Sequence, residues 1–207
     1  EESWSWQELD AQVSALAAGL KARGVQAGSA ILVHSKNSNE MFISMFAAFR
    51  LGAIWVPTNF RVKPEELLHM VDVSGSTVFL CQTDFPEHAE TVSKHFPDMD
   101  LLWLRGTPEP KDARPLVRDL LEQNQGAITP NADVFSNTPC WLLFTSGTTG
   151  KPKAAVLTHG NREFGLKRIV AITSPQNAVS CGLLEKLGFV FERTVQWAPG
   201  DEVKLYS

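Results

Sequence analysis

The chain has 207 residues, 43% of them hydrophobic and 20% charged, with a formal net charge of −4. This is ordinary globular material, enough for one domain or two small ones, and it lacks the basic excess that marks nucleic-acid binding. No apolar run approaches the roughly 18 residues of a bilayer-spanning helix, and no secretory signal is read at its start.

In chain order, Trp6-Gln7-Glu8-Leu9 opens a helix whose apolar residues Leu9, Val13, Leu16, Ala17 and Leu20 recur at spacings of three and four. Gly24 is expected to end it. Gly28-Ser29 leads into a strand over Ala30-Ile31-Leu32-Val33-His34. Residues 37–40 can cap a helix over 41–51, which Gly52 ends. Residues 53–57 and 77–81 read as further strands. From 82 to 140 the prolines at 86, 97, 108, 110, 115, 130 and 139 predict long loops between short elements: a strand over 98–104 and a short helix over 116–122. Residues 131–139 are polar and expected to be mobile. Strands alternating with helices of about a dozen residues predict an α/β fold with a mostly parallel sheet flanked by helices.

The most informative segment is Thr145 to Lys153, TSGTTGKPK, after the apolar strand Trp141-Leu142-Leu143-Phe144. Its glycines let backbone N–H groups approach an anion. The hydroxyls of Thr145, Ser146, Thr148 and Thr149 add donors, and Lys151 and Lys153 add charge. The P-loop of nucleotide triphosphatases needs Gly, four residues, then Gly-Lys-Ser/Thr. Here Thr145 stands five before Gly150 and Pro152 follows Lys151, so that motif is excluded. A plain polar surface loop is the competing reading of such a composition.

The full string resembles the signature of the adenylate-forming (AMP-binding) superfamily of acyl-CoA synthetases, peptide-synthetase adenylation domains and luciferases. Residues 154–159, AAVLTH, fit the strand after the signature and end in the family's Thr-His; Ala154 stands where the family usually has Gly. The segment LGAIWVPTN at 51–59, followed by PEELL at 64–68, matches an earlier landmark of the family. The resemblance covers about residues 3–161, so residues 1–161 are expected to be a partial adenylate-forming domain. The chain opens at Glu1, a few dozen residues inside the family's usual start, and reads as a fragment.

Residues 162–207 break from that pattern. Physically they read as strand (168–173), helix (178–187, started by Ser174-Pro175-Gln176-Asn177), strand (189–197) and strand (203–206), a βαββ segment that could complete the first sheet. The pieces RIVAIT, PQN and LLEKLGF resemble the C-terminal quarter of a GNAT-type N-acetyltransferase. By that resemblance Asn177 and Ser180 lie near an acetyl-CoA arm; equally, Asn177 simply caps the helix. The tyrosine that often acts as general acid there falls at Leu184, and a glycine-rich cofactor turn is missing, so acetyl transfer is not expected.

The adenylate-forming resemblance implies ATP-dependent activation of an organic or fatty acid to an acyl-adenylate, with coenzyme A (or, for the tail, acetyl-CoA) as a further ligand. Thr145, Ser146, Gly147, Thr148, Thr149, Gly150 and Lys151 would grip the β- and γ-phosphates, Lys153 would add charge, and Mg2+ would bridge the phosphates. The family's adenine segment, magnesium glutamate, ribose aspartate and catalytic lysine have no counterpart in 162–207, so no catalytic residue is assigned and complete turnover is not expected. A chimera without activity is the third reading. Cys81, Cys140 and Cys181 are read as structural thiols of a cytoplasmic protein. The histidines other than His159 are read as structural or surface residues, with no metal-ligand spacing. An exposed sheet edge predicts pairing with a second copy.

Overall fold

The computed structural model describes residues 4–145, 152–161, 171–173, 175–176, 178–186, 188–198 and 201–206. They divide into two compact units, Glu1–Arg162 and Glu163–Ser207.

The first unit opens with α1 (Trp6–Ala22), held at its start by a capping box. The Ser5 hydroxyl accepts from the Glu8 N–H at 3.2 Å, and the Glu8 carboxylate accepts from the Ser5 N–H at 2.7 Å. That backbone donor holds the Glu8 carboxyl below its ordinary pKa. Strand β1 (Ala30–His34) follows, then α2 (Asn39–Arg50), whose Ser38 cap accepts from the Met41 N–H at 3.1 Å. Next come β2 (Ile54–Pro57), α3 (Pro64–Ser74), β3 (Val78–Cys81), α4 (Pro86–His95), β4 (Asp100–Trp103), α5 (Val117–Gln123), β5 (Pro139–Thr145) and β6 (Lys153–Thr158). A 3-10 turn over His159–Asn161 closes the unit.

The six strands form one sheet in the order β4-β3-β1-β2-β5-β6; all neighbours are parallel except β5 and β6. α1 packs against α2 and α5, and α3 against α4. Alternate strand residues therefore meet two different helix layers. Ile31, Val33, Trp55, Leu80 and Leu102 join Leu16, Leu20, Ala47 and Leu120 in one core. Leu32, Val56, Phe79 and Leu101 join Leu67, Met70, Ala89 and Val92 in the other. Burial on both faces explains why β1 and β3 are apolar almost without interruption.

Two expectations for the irregular stretch are corrected. Pro86 does not break the chain into a loop: it occupies the first turn of α4, where its missing N–H costs nothing and its fixed φ suits the helix. Residues 131–139 are tied down rather than loose. The Ala132 N–H donates to the Arg50 carbonyl at 2.7 Å, the Phe135 N–H to the Thr138 hydroxyl at 3.0 Å and the Thr138 N–H to the Phe135 carbonyl at 2.9 Å.

The second unit contains β7 (Ala171–Thr173), α6 (Ala178–Lys186), β8 (Phe191–Ala198) and β9 (Asp201–Tyr206). Its strands pair antiparallel in a sheet of their own, order β7-β9-β8, rather than as added strands of the first. Cys81, Cys140 and Cys181 are all buried.

Candidate phosphate-binding site

β5 and β6 form an antiparallel hairpin, and in sequence the predicted phosphate loop runs from the last residue of β5 to the first of β6. The register runs from Leu142 opposite Val156 through Phe144 opposite Ala154 to Thr145 opposite Lys153. Thr145 and Lys153 thus face each other at the neck, both exposed. The Thr145 hydroxyl lies 3.4 Å from the Lys153 carbonyl, to which it donates. Ser146, Gly147, Thr148, Thr149, Gly150 and Lys151 lie outside the described residues.

The hairpin is anchored at its root, its neck and its far end. At the root, Trp141 pairs in register with Trp55 of β2, the two rings meeting edge-to-face at 5.0 Å. Near the neck, Phe144 and Ala154 pack against the core beneath α3 and α4. The Ala154 methyl therefore fills space against that core where the family usually has Gly. A ring nitrogen of His69, on α3, donates to the Pro152 carbonyl at 3.1 Å. At the far end, the His159 N–H donates to the Thr138 carbonyl at 2.9 Å, and the His159 ring lies 5.9 Å from Phe49. Gly160 sits so close to the 135–138 turn that an added Cβ would fall 2.5 Å from the Ser136 carbonyl oxygen. No side chain fits there without movement.

Because β2 and β5 are parallel, β5 ends with Thr145 at the edge of the sheet that carries the carboxyl ends of β1, β2 and β3, the edge at which open α/β sheets bind ligands. Hydroxyls, glycine backbone and lysine charge suit an anion with several oxygens. Among the described residues no group of His, Cys, Asp and Glu is placed to hold a metal ion.

The second pair of predicted ligands belongs elsewhere. Asn177 and the Ser180 side chain lie outside the described residues; Ser180 falls within α6 of the second unit. No local pattern signals the His69 contact, which depends on α3 and the hairpin meeting across 83 positions.

Also unforeseen is a stacked histidine pair, His34 at the carboxyl end of β1 and His88 on α4. His34 is fully buried, its Nδ1 2.7 Å from the Thr58 hydroxyl and its ring stacked on His88 at 4.4 Å. The Thr58 hydroxyl donates to the Val33 carbonyl at 3.1 Å, so His34 carries its proton on Nδ1 and donates to Thr58. Its Nε2 and the His88 Nδ1 have no hydrogen-bond partner. Burial, with a smaller contribution from His88, pushes the His34 pKa down to about 3.

The sequence profile of the family described as AMP-binding enzyme matches residues 1–199. Among curated relatives, a feruloyl-CoA synthase of Amycolatopsis is 33% identical over 169 residues, 82% of this chain and 31% of that protein. An indoleacetate–CoA ligase of Aromatoleum aromaticum is 33% identical over 77% of this chain and 31% of its own length. The chain thus spans about a third of the length of these relatives. Among solved structures, an anthranilate CoA ligase in complex with anthranoyl-AMP superposes with a TM-score of 0.68 at 23% identity, over 74% of this chain and 29% of that one. ATP-bound MatB from Rhodopseudomonas palustris superposes with a TM-score of 0.64 at 25% identity, over 77% of this chain and 30% of that one.

Proposed function

The chain belongs to the AMP-binding enzyme family, and from that premise we propose that it carries the ATP-gripping part of an acid–CoA ligase that forms acyl-adenylates. In the overall reaction a carboxylate oxygen attacks the α-phosphorus of ATP and pyrophosphate leaves. Coenzyme A thiol then displaces AMP from the acyl group. Charge develops on the leaving phosphates, so positioned donors and cations are the main contribution protein groups can make. Thr145, the loop 146–151 and Lys153 are placed in sequence to do this for the β- and γ-phosphates. Mg2+ bound to those phosphates would neutralise charge that the lysines leave uncompensated.

The observation that carries the reading is the hairpin. Its neck brings Thr145 and Lys153 opposite each other at the carboxyl edge of a mostly parallel sheet. By name the two curated relatives act on ferulate and indoleacetate, which makes an aromatic carboxylic acid the first substrate to test. Calorimetric titration with ATP–Mg2+ tests the grip. A charge-assisted bond is worth roughly 1.5–3 kcal/mol, so Lys151→Ala should weaken binding about 10- to 150-fold. Equal affinity in the variant would refute the assignment.

For residues 162–207 a second reading stands beside this one: an acetyltransferase-like segment with Asn177 and Ser180 near a coenzyme A arm. The β-α-β-β order of the second unit supports it, while the family profile running on to residue 199 favours the ligase instead. Acetyl-CoA binding that survives Lys151→Ala and is lost in Asn177→Ala would favour the acetyltransferase reading. The cytoplasm is the proposed location, consistent with no described helix being long and apolar enough to cross a membrane. The outer edge of β6, with Val156 56% exposed, is the proposed contact for a second copy.

A further inference from the structure

The second unit holds a thiol, an amine and a phenol together. Cys181 of α6 is buried at 8% exposure. The Lys204 ammonium of β9 lies 3.9 Å from its sulfur, with the Phe191 ring 6.0 Å away on β8. Tyr206, two residues along β9 and on the same face of the strand, is fully buried and hydrogen-bonded to Cys181. That bond is the main reason its hydroxyl titrates above its ordinary value. The Tyr206 ring in turn packs edge-to-face on Phe191 at 5.6 Å. Sulfur and nitrogen are thus held side by side by residues from three elements.

We propose that Cys181 and Lys204 form an oxygen-bridged S–O–N crosslink, a redox-controlled tie between α6 and β9. Dioxygen is the oxidant. The Lys204 ammonium first gives a proton to solvent; the S–H bond of Cys181 and one N–H bond of the resulting amine then break, and S–O and O–N bonds form. One atom of dioxygen becomes the bridge, and the other leaves as water with the two hydrogens. The thiol and the amine are oxidised and dioxygen is reduced. Excess dithiol reverses the step, returning thiol and amine with the bridging oxygen as water. Tyr206 is a positioning residue: its hydroxyl keeps the sulfur turned toward β9. The tie is independent of the phosphate hairpin, which lies in the other unit.

Intact-mass and peptide mass spectrometry of the full chain, held in air-saturated or oxygen-free buffer, test this. The expected result is a mass gain of one oxygen less two hydrogens in air only, mapped to a peptide pair joining positions 181 and 204, and erased by dithiol. Cys181→Ser and the charge-conserving Lys204→Arg should each abolish it. Tyr206→Phe should slow its formation while leaving the mapped positions unchanged. Gain of whole oxygens on Cys181 alone, a disulfide-linked dimer, no change in air, or the same mass gain in Lys204→Arg would each overturn the proposal.

Discussion

Lowering the pH from 7 to 5 should destabilise the first unit through one side chain, His34. Its ring is fully buried between Phe85, at 4.6 Å, and His88, at 4.4 Å, and its pKa falls from 6.5 to about 3. The unfolded chain binds a proton near pH 6.5 that the folded chain refuses until about pH 3. The stability held by neutral His34 is therefore complete above pH 6.5 and lost progressively below it. The loss runs at about 1.4 kcal/mol per pH unit, or roughly 2 kcal/mol between pH 6.5 and 5. Glu8 and Asp84, whose carboxyls are held below their ordinary values of 4.5 and 3.8, withdraw stability only at lower pH. Subtracting a variant that lacks the ring isolates the contribution of His34. Urea unfolding of wild type and His34→Leu at pH 7.0, 6.0 and 5.0 checks this. Wild type should lose stability across the series and the variant should lose about 2 kcal/mol less, whatever its absolute stability. Parallel curves for the two proteins would refute the reasoning.

Other outcomes follow from packing and from the sheet edge. Gly160→Ala should cost about 1–3 kcal/mol in urea unfolding, since its Cβ would meet a backbone carbonyl that has nowhere to go; an unchanged midpoint would contradict the contact with Ser136. Leu142→Ala should cost about 2–5 kcal/mol, whereas Leu143→Ala, 41% exposed on the same strand, should stay within about 0.5 kcal/mol. Equal effects would mean the strand's faces are assigned the wrong way round. Val156→Lys should shift any dimer to monomer in size-exclusion chromatography by charging the free edge; a dimer that persists would place the contact elsewhere.

Much of the fold was legible because local and global signals agree. The apolar spacing and terminal glycine of α1 both point to one helix, and the short apolar runs at 30–34 and 78–81 can hardly be anything but buried strands. α4 escaped because Pro86 reads as a breaker unless the helix start is already known; with a fixed φ and no N–H it marks a start as readily as an end. The order at 131–139 comes from bonds to Arg50 and within the turn, which composition does not encode. At the site, the loop's chemistry could be read from its residue types. Its supports could not: His69 under Pro152 and Ser136 against Gly160 are long-range or backbone contacts with no sequence pattern. His34 ends a run of four apolar residues, and only the packing of α4 over β1 reveals that it is shut away from water.

In the function proposed above, the β5–β6 hairpin grips phosphates rather than a nucleoside. Phosphorus NMR of ATP–Mg2+ and of AMP, each titrated with the full chain, tests it most directly. Shifted and broadened β- and γ-phosphate resonances are expected for ATP, with little change for AMP and loss of the ATP effect in Lys151→Ala. AMP binding as tightly as ATP, or an ATP response that Lys151→Ala leaves intact, would contradict it.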